Sequence, residues 1–129
     1  ARPFIDDAII ERCAQGVEKY KACVAGMPVK DTIKIADEDL FAVQTPNRSN
    51  VWMVQTPQTF ERTMIWDAYK TIIAEEQSGK TISVTDDAMV VEKMTDYKVK
   101  MILGSYENIK ITTPEDLQIA QLFCDKRQY

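Results

Sequence analysis

Eight residues here can grip a phosphate: Arg2, Lys30, Thr32, Lys34, Arg48, Thr56, Thr85 and Lys110. Each carries a cation or a hydroxyl, and each falls near the end of an expected element. An arginine fork offers two N–H donors to two phosphate oxygens at once, and lysine supplies a compact charge. Histidine is absent from the chain. That excludes Ser-His-Asp and Cys-His nucleophilic catalysis and the common zinc sites. The chemistry left is charge neutralisation and positioning of phosphates by Lys, Arg, Thr and backbone. Each candidate also has an ordinary reading. Lys110 suits the solvated face of a strand, Arg48 suits a turn, and Thr32 and Thr56 suit strands. Asp86 and Asp87 read as acids favoured in a first helical turn rather than as a metal pair.

The elements that must position these groups alternate in type. Asp6 and Asp7 open a helix with apolar spacing Ile9, Cys13, Val17 and Tyr20. "ACVAGMPV" (22–29) is a short apolar run bounded by Gly and Pro, a buried strand. "DTIKIA" and "VWMVQ" flank a polar, acidic connection and read as two arms of one extended excursion. Phe60, Met64, Ala68 and Ile72 then form one stripe of a long helix ending near Gly79. Thr85-Asp86-Asp87 caps a short helix running to about Lys93. Strands follow at 97–104 and at 108–112, the second with Ile109 and Ile111 on one face. Thr113-Pro114-Glu115-Asp116 starts a final helix, with Thr at the N-cap and Pro in the first turn. Strand–helix alternation predicts an α/β fold.

With 129 residues the chain supports one domain, small for a complete nucleotide enzyme. An apolar fraction of 45% and a charged fraction of 28% are those of an ordinary globular protein. A net charge of −4 with interleaved signs argues against nucleic acid or an anionic membrane as partner. No apolar run approaches the roughly 20 residues needed to span a bilayer, and no signal peptide opens the chain. Cys13, Cys23 and Cys124 lack metal-ligand spacing and predict buried, reduced thiols in a cytoplasmic protein. The chain opens Ala1-Arg2-Pro3-Phe4 rather than on methionine, so an upstream portion is expected.

Two lookalikes fail on context. "SGKT" (78–81) resembles the end of a P-loop, but the first glycine would fall at Ala74, and the motif closes a helix instead of opening one. Asn47-Arg48-Ser49 is a glycosylation sequon, without meaning in a cytoplasmic protein.

"ARPF", "PVKDTIK", "NRSNVWMVQTPQTF", "TDDA" and "GSYENIKITTPEDL" occur in the order and approximate spacing of the 2-C-methyl-D-erythritol 4-phosphate cytidylyltransferases. The chain resembles the C-terminal half of that family. The resemblance implies the C-terminal part of a Rossmann-like (GT-A-like) nucleotidyltransferase sandwich, with a β-arm at about 30–56 that crosses to a second subunit. It implies that the glycine-rich nucleotide loop lies upstream of Ala1. On the same resemblance, Thr32 and Arg48 reach the partner subunit's methylerythritol phosphate. Arg2, Thr56 and Thr85 surround the substrate in their own subunit, and Lys110 is the catalytic cation. Many family members carry an acid where this chain has Asn47, a change expected to affect how Arg48 is oriented.

The implied reaction is cytidylyl transfer from CTP to 2-C-methyl-D-erythritol 4-phosphate with release of pyrophosphate, in non-mevalonate isoprenoid synthesis. Mg²⁺ is expected on the CTP phosphates, with no metal site built from this chain's residues. The implied assembly is a homodimer through the arm, and the 129 residues alone are expected to be inactive. Two alternatives stand beside this reading. "TPQTF", "KITT" and Pro46-Asn47-Arg48 also fit ribitol 5-phosphate cytidylyltransferases, and a non-catalytic half-domain that dimerises and only binds a sugar phosphate is a reading of another class.

Overall fold

A computed structural model describes residues 1–127. Helix α1 (Asp7–Tyr20) starts where Asp6 Oδ1 accepts from Ile9 N at 2.9 Å, as the paired acids predict. It feeds strand β1 (Ala22–Pro28), the centre of a three-stranded sheet. β1 alternates between two cores. Cys23 and Ala25 pack with Ile9 and Cys13 of α1, whereas Ala22 packs with Met64 and Val91 from helices on the opposite face. Those helices are α2 (Arg62–Gln77) and α3 (Asp87–Met94). Burial on both faces explains why β1 reads as a continuous apolar run.

The predicted excursion is narrower than 30–56. Its two-stranded sheet consists of β2 (Ile35–Ala36) and β3 (Ala42–Gln44), followed by a 3-10 turn at Arg48–Asn50. Trp52–Phe60 is instead β4, a strand of the main sheet antiparallel to β1. Both arms look alike in sequence because both alternate apolar and polar residues; long-range pairing separates them. In that pairing Val24 opposes Gln58 and Gly26 opposes Val54, so Gln55, Thr56 and Pro57 bulge opposite Ala25 alone. A proline fits there because it interrupts no regular ladder. The Thr56-Pro57 peptide is cis.

β5 (Lys100–Leu103) runs parallel to β1 and is shorter than the predicted 97–104. The expected strand at 108–112 does not form. That segment has no regular secondary structure, and Ile111 N donates to Ala1 O at 2.8 Å, a pairing one residue long. α4 (Pro114–Arg127) closes the described chain, with Phe123 edge-on to buried Phe4 at 5.3 Å.

Two glycines differ in kind. Gly79 follows α2 with φ 94° and open space around it, so backbone conformation demands glycine there. Gly104, just past β5, donates its N–H to Gly26 O at 2.9 Å, and a Cβ there would collide with the Gln55 carboxamide. Cys13 and Cys23 are buried free thiols, with burial pushing the Cys23 thiol up to about 11, while Cys124 is only half-buried, contrary to expectation. Its place on α4, outside the clusters around β1, accounts for the difference.

Candidate functional site

The bulge in β4, the segment after β5 and the head of α3 meet at an open cavity of about 560 Å³. Four of the six residues expected at a site line it: Arg2, Thr56, Thr85 and Lys110. Thr32 and Arg48 do not; both belong to the excursion. Arg48 Nη1 donates to Lys30 O at 2.9 Å, which folds the 3-10 turn against the excursion's base. Asn47 Oδ1 accepts from Ser49 N at 3.2 Å and from Ser49 Oγ at 2.9 Å, capping that turn.

Each cavity residue has an identifiable support. Arg2 Nη1 donates to Asn108 O at 2.5 Å and Nη2 to Val54 O at 3.3 Å, which aims the guanidinium plane while burial lowers its pKa. Thr56 sits in the bulge, lifted out of the regular ladder. Thr85 precedes Asp86, the N-cap of α3, so it lies beside the helix's positive end. Lys110 extends from the 108–112 segment and is exposed.

That segment is fixed from both sides. Asp116, in the first turn of α4, accepts from Thr112 N and Thr113 N, each at 2.9 Å. These bonds hold its pKa down, from 3.8 to about 2. Upstream, Tyr106 Oη donates to Pro28 O at 2.8 Å, and the Lys30 ammonium lies 3.9 Å from the Tyr106 ring centroid.

Three further cavity residues, Gln55, Gln58 and Asp86, were not singled out as candidates. Gln55 is 7% exposed and donates to Ser105 O at 2.7 Å. Gln58 and Asp86 hydrogen-bond to each other. The sequence signal was present in the glutamines that flank Thr56-Pro57, but their types suit any polar strand face.

Two cations, two hydroxyls and a helix head around one open cavity can hold a phosphorylated polyol. Asp86, a carboxylate in that cavity, has one oxygen on Met89 N and the other on Gln58 Nε2. No group of three or more metal-ligating side chains occurs among the described residues. The cavity therefore fits an anion and does not fit a cation held by protein ligands.

Helices on both faces of a mixed sheet, with β5 parallel to its central strand β1, are consistent with part of a Rossmann-like nucleotidyltransferase fold. The model of the 2-C-methyl-D-erythritol 4-phosphate cytidylyltransferase family matches residues 1–126, and the chain belongs to that family. A relative of that name from Caldanaerobacter subterraneus is 48% identical over 126 residues, covering 98% of this chain and 53% of the relative. One from Lachnospira eligens is 48% identical over 95% of this chain and 53% of its own length. Among solved structures, 4-diphosphocytidyl-2C-methyl-D-erythritol synthase from Anaerococcus prevotii matches with TM-score 0.86 and 37% identity, covering 96% of this chain and 55% of that one. The cytidylyltransferase from Thermus thermophilus matches with TM-score 0.79 and 27% identity, covering 97% and 58%. The chain thus spans about half the length of the relatives it matches.

Proposed function

We propose that this chain is the sugar-phosphate half of a cytidylyltransferase that transfers the cytidylyl group of CTP to 2-C-methyl-D-erythritol 4-phosphate, in isoprenoid precursor synthesis. The observation that carries the proposal is the convergence of Arg2, Thr56, Thr85 and Lys110 on one cavity in a chain of this family. In the reaction, a substrate phosphate oxygen bonds to the α-phosphorus of CTP. The bond from that phosphorus to the β-phosphate bridging oxygen breaks, and pyrophosphate leaves with the electron pair. Such a step rests on positioning and charge neutralisation, with no side-chain proton shuttle required. Arg2, Thr56 and Thr85 hold the polyol phosphate, and Lys110 neutralises charge where the phosphates meet. Mg²⁺ belongs to the CTP phosphates in this reading, since the residues present do not fit a metal. The nucleotide-binding half lies outside the 129 residues, which alone are inactive in this reading.

The excursion serves as the arm of a homodimer, carrying Thr32 and Arg48 to the partner's polyol phosphate. Its apolar surface supports this: Leu40 is 85% exposed, Phe41 71% and Val43 62%. A two-stranded sheet with such a surface is marginal in water without a partner. Three free thiols support a reducing, cytoplasmic compartment.

The test is pyrophosphate release by the complete protein with CTP and each of two acceptors, 2-C-methyl-D-erythritol 4-phosphate and ribitol 5-phosphate. Faster release with the first is expected. Preference for ribitol 5-phosphate would reassign the acceptor. Phosphate binding without release would leave a non-catalytic half-domain.

A further inference from the structure

Asn108 is fully buried and polar, and it touches three of the cavity's supports at once. Its Nδ2 donates to Thr56 O at 2.9 Å and to Gln55 Oε1 at 3.1 Å. Its main-chain oxygen accepts from Arg2 Nη1 at 2.5 Å. Gln55 in turn donates to Ser105 O at 2.7 Å, so the segment carrying Asn108 is tied to the β4 bulge at two points. Lys110 follows two residues later. The Nδ2 bonds contribute to stability, but the carboxamide is only half satisfied. Asn108 Oδ1 is buried without a hydrogen-bond partner, a cost that an apolar side chain of similar size would avoid. What that side chain would lose is the geometry: the distance from the Thr56 peptide to the Arg2 guanidinium is set by one residue bonded to both.

We propose that Asn108, braced by Gln55, is a positioning residue that sets Arg2 and Thr56 for the polyol phosphate. The inference rests on the functional reading above and names how its anion cavity is held in shape. Asn108 contacts no reacting atom in this role. It acts through Arg2 and Thr56, so its loss weakens acceptor binding and leaves the chemistry of the bound complex largely intact.

The experiment uses the complete protein and three variants, Asn108→Ala, Gln55→Met and Arg2→Lys, with the doubles of Arg2→Lys. Turnover with CTP and 2-C-methyl-D-erythritol 4-phosphate gives kcat and KM, and calorimetry gives the Kd of that polyol phosphate without turnover. Asn108→Ala is expected to raise KM and Kd about tenfold, with kcat and the KM for CTP within about twofold. In the Arg2→Lys background the same change should have a smaller effect than in wild type, since residues acting through one another are non-additive. Burial means the Tm falls under either role; a purely structural role would lower it with KM and Kd unchanged, or with effects that add to Arg2→Lys. Should Asn108→Ala fail to fold, Gln55→Met keeps the side-chain length and decides the matter by the same split. Unchanged KM and Kd in a folded variant, or full additivity, overturns the proposal. A wild-type protein that binds the polyol phosphate but releases no pyrophosphate overturns the transfer reading alone, and the Kd values still test the brace. A wild-type protein that binds no polyol phosphate overturns both.

Discussion

Gln58 on β4 and Asp86 at the head of α3 are joined by a hydrogen bond from Nε2 to Oδ2 of 3.0 Å, and the same carboxamide accepts Ala88 N at 3.0 Å. One side chain therefore bonds both the cap of α3 and one of its first-turn amides. Thr56 lies two residues before Gln58 and Thr85 one residue before Asp86, so this link fixes two walls of the cavity. Gln58→Leu should lower the unfolding free energy by about 1–2 kcal/mol, because it leaves one helix amide and one oxygen of the cap carboxylate without a partner. Urea denaturation should show an earlier midpoint with an unchanged m-value; an unshifted midpoint would rule the link out as a stabilising one.

Lys110→Ala is expected to cut kcat of the complete protein by roughly 10²-fold, the effect of losing one preorganised donor at a developing charge. The side chain is exposed, so the Tm should not move. Near-normal turnover would return Lys110 to the status of a solvated surface residue.

Arg48→Ala should raise the KM for the polyol phosphate and leave CTP binding nearly intact. Mixing Arg48→Ala subunits with Lys110→Ala subunits tests the arm. If Arg48 acts across the interface, each heterodimer has one site with both residues and one with neither, and activity returns. If it acts within its own subunit, every site keeps a defect and none returns. Sedimentation as a monomer would sink the trans assignment whatever the kinetics.

Acid should distinguish Asp116 from its amide. The carboxylate is bonded by Thr112 and Thr113, and its folded pKa of about 2 lies below the ordinary 3.8. A depressed carboxylate adds stability that is complete above the unfolded value and lost as pH falls through the folded one. Asp116→Asn should therefore melt below wild type at pH 5, and the gap should close as pH approaches 2. A gap constant across that range would mean the shift is absent.

The fold was legible wherever one local rule dominated. Asp6, Asp86 and Pro114 mark helix starts because capping is decided within a few residues, and β1 is a pure apolar run because it is buried on both faces. Long-range pairing hid the rest. Nothing local separates Ile35–Ala36, in the arm, from Trp52–Phe60, in the main sheet. Alternation at Ile109 and Ile111 promised a strand, but a strand needs a neighbour, and Ile111 bonds only the end residue Ala1 among the described residues. At the cavity, residue chemistry and family resemblance pointed to Arg2, Thr56, Thr85 and Lys110. The residues that hold them, Gln55, Gln58 and Asn108, are neutral amides, a type as common on open surface as in a buried brace. Only their partners distinguish them, and those lie 28 to 53 positions away.

The crowding beside Gly104 has a consequence for anyone who would redesign this chain. No torsional demand excludes a methyl group there, as it does at Gly79; the space is already taken by the tip of Gln55. Because that tip is the end of a flexible side chain, Gly104→Ala has an escape: the glutamine can swing away and the chain can still fold. The swing would separate Gln55 from Ser105 and Asn108. If the cavity holds the acceptor as proposed, Gly104→Ala should weaken its binding in a protein that still folds, a defect that a substrate titration would catch.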